Sequence, residues 1–174
     1  MQDLMIDLET LGTTTNAPII SIGAALFDIK NNQIGDTFYE ILDVADQIDT
    51  QIRFVDSSTI KWWMNQSDAA KTVFKTKTKP TKTVLENFRA WIITRTEPRS
   101  VHPWGNGASF DISLIESLFK DYNVGCPWMF WNVMDLRTYK RFIGKNSPIE
   151  KLEGTNHNAL DDAINQIKYI FKYS

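Results

Sequence analysis

The chain has 174 residues, 43% hydrophobic and 23% charged, with a formal net charge of −2; it can bury a sizeable core as one domain over residues 1–174 and cannot grip nucleic acid by bulk positive charge. A single cysteine, Cys126, excludes an internal disulfide and fits a reducing cytosol. Residues 1–11 hold Asp3, Asp7 and Glu9 without a basic residue, unlike a signal peptide, and the longest apolar-rich stretch, 18–27, is too short to span a bilayer.

In chain order, Leu4 to Leu8 reads as a short buried strand. A polar turn over 12–18 leads to a second strand over 19–27, rich in the small residues Ser21, Gly23, Ala24 and Ala25. Asn31-Asn32 is a hairpin tip before a third strand around 37–42, so the three strands predict an antiparallel meander. Ser57 or Ser58 can cap a helix running through Ile60 to Gln66. Lys71, Lys75, Lys77, Lys79 and Lys82 form a threonine-interleaved basic segment, either a track for a strand's backbone or a solvated loop. Pro80 to Ile93 shows helical spacing at Val84, Phe88, Trp91 and Ile92.

Val101 to Trp104 reads as a short strand ending in Gly105-Asn106-Gly107, followed by a helix over 111–122 with Ile112, Ile115, Leu118 and Phe119 on one stripe. Phe130 to Val133 reads as another short strand and Asp135 to Phe142 as a helix. The last helix, 158–171, carries Leu160, Ala163, Ile164, Ile167, Ile170 and Phe171. A meander followed by alternating helix and strand predicts an α/β mixed sheet.

Three acidic fragments carry the chemistry. Asp7 and Glu9 lie two apart in a strand and project from one face, where they repel each other unless a hard cation sits between them; an isolated Asp-x-Glu is otherwise a solvated strand end. Asp111 opens a helix after a turn of small residues that lets a ligand approach the backbone, although such an aspartate is commonly a cap. His157 and Asp162 would sit roughly 140° apart on one continuous helix. They can share a site only if His157 lies in the loop before it. Asn158 supports that as an N-cap, with Asp161 its capping partner and Asp162 the ligand candidate. Trp62-Trp63 offers a base-stacking platform. Adjacent helical residues diverge by about 100°, so one belongs to the core and the other to the surface. Together these parts suit two divalent cations about 4 Å apart activating a water for attack on phosphate, with a histidine to deprotonate it.

Those residues resemble the DEDDh exonucleases in three motifs: Ile6-Asp7-Leu8-Glu9-Thr10-Leu11-Gly12, Asn106 to Asp111, and His157 to Asp162. The resemblance covers nearly the whole chain and matches all five catalytic positions. It implies a ribonuclease-H-like mixed sheet, an antiparallel meander plus parallel strands flanked by helices. It also implies two Mg²⁺ or Mn²⁺ ions held by Asp7, Glu9, Asp111 and Asp162, with His157 as general base. Thr10 and Leu11 would contact the terminal nucleotide, and Asn106, Ser109, Phe110, Trp62 and Trp63 are further substrate-contact candidates. Within the family, Ser58 to Ser67 is similar to a segment of the exonuclease A proteins of T4-like phages. It also resembles exonuclease VIII-like proteins and exoribonucleases of bacteria and prophages. Phe130-Trp131-Asn132 followed by Asp135-Leu136-Arg137-Thr138 belongs to the same pattern.

The implied activity is 3′-5′ exonucleolytic hydrolysis of single strands to nucleoside 5′-monophosphates, with DNA ranked ahead of RNA. The alternatives are an exoribonuclease trimming RNA and a non-catalytic nucleic-acid-binding or accessory subunit. The expected setting is a bacterial or phage-infected cytosol, without a membrane partner. Several relatives form homodimers, and no residue here marks an interface.

Overall fold

The computed structural model describes residues 1–145, 148–149, 154 and 157–174. Strands β1 (Asp3–Thr10), β2 (Ile19–Asp28) and β3 (Gln33–Ile41) form the expected meander; β4 (His102–Gly105) joins β1 in parallel and β5 (Met134–Asp135) joins β4 in parallel. The sheet order is β3-β2-β1-β4-β5. Helices α1 (Val44–Gln51), α2 (Ser57–Met64), α3 (Thr81–Ile93), α4 (Asp111–Asp121), α5 (Leu136–Phe142) and α6 (Ala159–Tyr173) surround it. No described helix is long and apolar enough to cross a membrane.

The two-residue period of β1 and β2 divides the interior. Leu4, Ile6, Leu8, Ile22, Ala24 and Leu26 pack with Val84, Leu85 and Phe88 of α3 and Ile115 and Phe119 of α4. Met5, Ala25 and Phe27 face the opposite way, against Ala163, Ile167 and Ile170 of α6. Asp7 and Glu9 share the parity of Met5 and therefore open onto the α6 side. Gly23 pairs with Asp7 across the β1–β2 ladder. A Cβ on Gly23 would lie 2.1 Å from the Ala159 carbonyl carbon and the Leu160 nitrogen, so only glycine lets the first turn of α6 rest on the sheet beside Asp7.

Four details differ from the sequence reading. β3 begins at Gln33, directly after the Asn31-Asn32 tip, where Asn32 takes the left-handed φ of 49°. The cap of α2 is Asp56, whose carboxylate accepts from the Ser58 N–H at 2.8 Å, and not Ser57 or Ser58. Residues 130–132 form a 3₁₀ turn with Phe130 and Trp131 exposed, and the strand is the two-residue β5 beyond it. Helix α1 was not expected, because its single buried residue is polar: Gln47 exchanges two 2.8 Å hydrogen bonds with the Ile19 backbone. The basic segment is shortened as a strand track. Lys79 pairs with Glu40 at 2.5 Å and Lys71 with Asp68 at 3.4 Å, while residues 70–74 form a 3₁₀ helix.

Candidate active site

The C-terminal end of β1 supplies the first two carboxylates, and its ladder shifts register between Glu9 and Thr10. Asp111 enters from the start of α4, only 4% exposed, and accepts the backbone N–H groups of Leu8 and Asn106 as well as its own. Gly105 at the end of β4 makes room for it, since a Cβ there would lie 3.1 Å from the Asp111 carboxylate. Asp162 comes from the first turn of α6. Its carboxylate oxygen, a Glu9 oxygen and a ring nitrogen of His157 all lie within 4.8 Å of one another.

The electrostatics are those of crowded carboxylates. Burial raises Asp7 well above the usual carboxylate range, and Asp111, Glu9 and Asp162, in that order, push it further. Burial likewise raises Asp111 to about 7 against the pull of the Leu8 N–H and the Arg137 guanidinium. Such a set is costly without counter-charge, and divalent cations reverse that field. The oxygen-rich donors suit hard cations such as Mg²⁺ or Mn²⁺. Asp7, Glu9, Asp111 and Asp162 thus converge as the motif order predicts.

His157 lies in the loop before α6 with φ of 60°, a conformation unusual for a non-glycine residue. Its N–H donates to the Asp162 carboxylate at 3.2 Å. Asn158 is the N-cap, accepting from Leu160 and Asp161 N–H groups at 3.1 and 3.2 Å, and the Asp161 side chain lies against Gly154.

The substrate-contact candidates separate. Trp62 is 42% exposed, its ring edge-on to His157 with centroids 4.6 Å apart. Trp63 is 3% exposed and donates its indole N–H to the Thr10 carbonyl at 2.9 Å, so it braces β1 from inside and has no free face for a base. Thr10 and Leu11 are themselves mostly buried; the Thr10 hydroxyl donates to the Gly12 carbonyl at 2.7 Å. Asn106 is half-buried, Ser109 is exposed, and Phe110 packs partly into the core. A cleft of about 330 Å³ opens at His157 and Asn158, bounded by Tyr39, Ala70, Thr72 and Thr76.

Two site residues escaped the sequence reading. Gln166 is 4% exposed and donates from its amide to Asp7 at 2.7 Å, which lowers the Asp7 proton affinity. It stands four residues after Asp162 on the same helix face, a spacing that could have exposed it. Asp135 accepts from the Ala108 N–H at 2.6 Å and the Thr138 N–H at 2.7 Å, tying the Asp111 turn to α5.

A family model described as the 3′-5′ exoribonuclease Rv2179c-like domain matches residues 2–173. An exodeoxyribonuclease of Enterobacteria phage T4 is 28% identical over 160 residues, covering 79% of this chain and 70% of that protein. The nuclease domain of 3′hExo, a DEDDh family member solved bound to rAMP, is similar in fold at 16% identity, with a TM-score of 0.62 over 98% of this chain and 90% of that one. The zinc-bound complex of E. coli exonuclease I with single-stranded DNA matches at 14% identity and a TM-score of 0.66 over 97% of this chain. The chain spans 39% of that protein's length. The five-stranded sheet and its helices are thus ribonuclease-H-like.

Proposed function

This chain belongs to the family of Rv2179c-like 3′-5′ exoribonuclease domains, and from that premise we propose that it removes nucleotides stepwise from the 3′ end of single-stranded DNA, releasing nucleoside 5′-monophosphates. Its class is that of a 3′-5′ exonuclease, a hydrolase acting on nucleic acid. The observation that carries the mechanism is the meeting of Asp7, Glu9, Asp111 and Asp162 with His157 at one end of the sheet. Two divalent cations held by these carboxylates, Mg²⁺ or Mn²⁺, would supply Lewis acidity to the attacking water and to the leaving 3′ oxygen.

The chain's own residues do the rest. A ring nitrogen of His157, beside Glu9 and Asp162, accepts the proton of the attacking water, and the two carboxylates stabilise the imidazolium that forms. Gln166 orients the Asp7 carboxylate through its 2.7 Å hydrogen bond and partly offsets the burial and neighbouring carboxylates that favour its neutral form. Trp62, exposed beside His157, offers its ring to the terminal base.

The T4 exodeoxyribonuclease favours DNA as the substrate. A second reading, RNA, is favoured by the family's description and by the rAMP-bound relative. Both are tested with 5′-labelled single-stranded DNA, duplex DNA and RNA in Mg²⁺ and in Mn²⁺. Single-stranded DNA shortening fastest from the 3′ end supports the first reading, and RNA shortening fastest supports the second. Cleavage that persists in excess chelator would sink the metal mechanism.

A further inference from the structure

Beside the turn that delivers Asp111, a cleft of about 500 Å³ is lined by Asn106, Arg137, Lys140, Pro148 and Ile149. We propose that Arg137 and Lys140, with Asn106, hold a phosphodiester of the bound strand upstream of the scissile bond, so that the enzyme grips its substrate at a second phosphate. The proposal rests on the exonuclease reading and adds a binding site to it.

Four observations carry it. Arg137 and Lys140 are three apart on α5 and therefore share a helix face. Neither forms an ion pair with a carboxylate among the described residues, although the chain has more acidic than basic residues. Lys140 lies 4.8 Å over the Tyr169 ring, and burial followed by the nearby Arg137 charge lowers its proton affinity. Arg137 feels the charges of Asp111 and Asp135 at longer range, but two adjacent cations facing a cleft with no close carboxylate among the described residues suit a phosphate, which offers acceptors to both. Arg137 also lies against Gly107 of the turn that delivers Asp111. A Cβ there would be 3.3 Å from the guanidinium carbon, and Gly107 has a φ of +113°. The cleft is therefore fixed to the catalytic turn, which Asp135 clamps to the same helix. A strand whose 3′ end lies at Asp111 would therefore present a phosphate upstream of the scissile bond to this cleft.

The test moves a single uncharged methylphosphonate through the first four linkages behind the scissile bond of a labelled oligonucleotide. KM and kcat are measured for the wild type, Lys140→Gln, and Arg137→Gln with Lys140→Gln. The wild type should show one linkage at which loss of charge raises KM about tenfold, the size of one charged hydrogen-bond contact. In the double variant KM on the unmodified strand should rise by a similar factor, and the penalty at that linkage should vanish. Lys140→Gln, farther from Asp111, should show part of the same KM effect with kcat unchanged. The salt dependence of strand binding should also become shallower by about 0.7 in logarithmic slope. A double variant with the wild-type KM, or one keeping the full penalty at that linkage, overturns the cleft while leaving the exonuclease reading intact. A wild type that degrades no strand overturns that reading and takes the cleft with it.

Discussion

Replacing Asp111 with asparagine should separate stability from catalysis, in opposite directions. The Asp111 carboxyl sits at about 7 against an ordinary 3.8, chiefly through burial. Its ionisation is therefore paid in the folded state alone. The sign follows from linkage: a raised aspartate is neutral and harmless below about pH 4, becomes progressively destabilising as pH rises, and reaches its full cost above about 7. The shift corresponds to roughly 4 kcal/mol in the metal-free protein at pH 8. Asp111→Asn removes that charge, its amide oxygen can still accept the Leu8 and Asn106 N–H groups, and it relieves Asp7, on which Asp111 is the foremost carboxylate neighbour. In chelator at pH 8 the variant should melt roughly 10 °C above the wild type, and at pH 4 the two should coincide. Added Mg²⁺ should stabilise the wild type and narrow the gap. The same variant should lose on the order of a thousandfold in nuclease rate, since it removes a proposed metal ligand. Equal melting of the two proteins at pH 8, or an identical gap at pH 4 and 8, would refute the charge-crowding argument.

His157→Ala should lower kcat by about 10² to 10⁴-fold while single-strand affinity, read by fluorescence anisotropy, changes little; a loss confined to affinity would remove its role as base. Trp62→Ala should weaken strand binding by roughly 1–3 kcal/mol and leave the unfolding midpoint near that of the wild type. Trp63→Ala should instead cost about 3–5 kcal/mol of stability, because a buried indole and its hydrogen bond to Thr10 are lost; the reverse pattern would exchange the roles of the two rings. Gln166→Leu should weaken divalent-cation binding by about 10 to 100-fold in calorimetric titration, and unchanged affinity would reduce Gln166 to packing.

The legible parts of this fold are those written in local chemistry. Alternation in β1 put Asp7 and Glu9 on one face, the Asn31-Asn32 tip closed a hairpin, and the stripe from Leu160 to Phe171 marked α6. The cap at Asn158 placed His157 outside the helix, and so separated the proposed base from the proposed ligand Asp162. Helix α1 left no such mark, because the partner of Gln47 is the Ile19 backbone, 28 residues away. The aromatic run at Phe130-Trp131 suggested a strand, yet those rings face solvent. Neither ring of Trp62-Trp63 could be assigned in advance, since the choice depends on where the Thr10 carbonyl ends up. Gly23 looked like one small residue among several until the docking of α6 gave it a purpose.

The same docking orders events in time. A chain growing from its N-terminus makes the meander first, then the Asp111 turn, and only later the helix that carries Asp162 and Gln166. Until that helix settles on Gly23, Asp7 and Asp111 lack the neighbouring Asp162, and the His157 N–H lacks the carboxylate it donates to. The candidate site is therefore complete only once α6, the last described helix in chain order, has docked on the sheet.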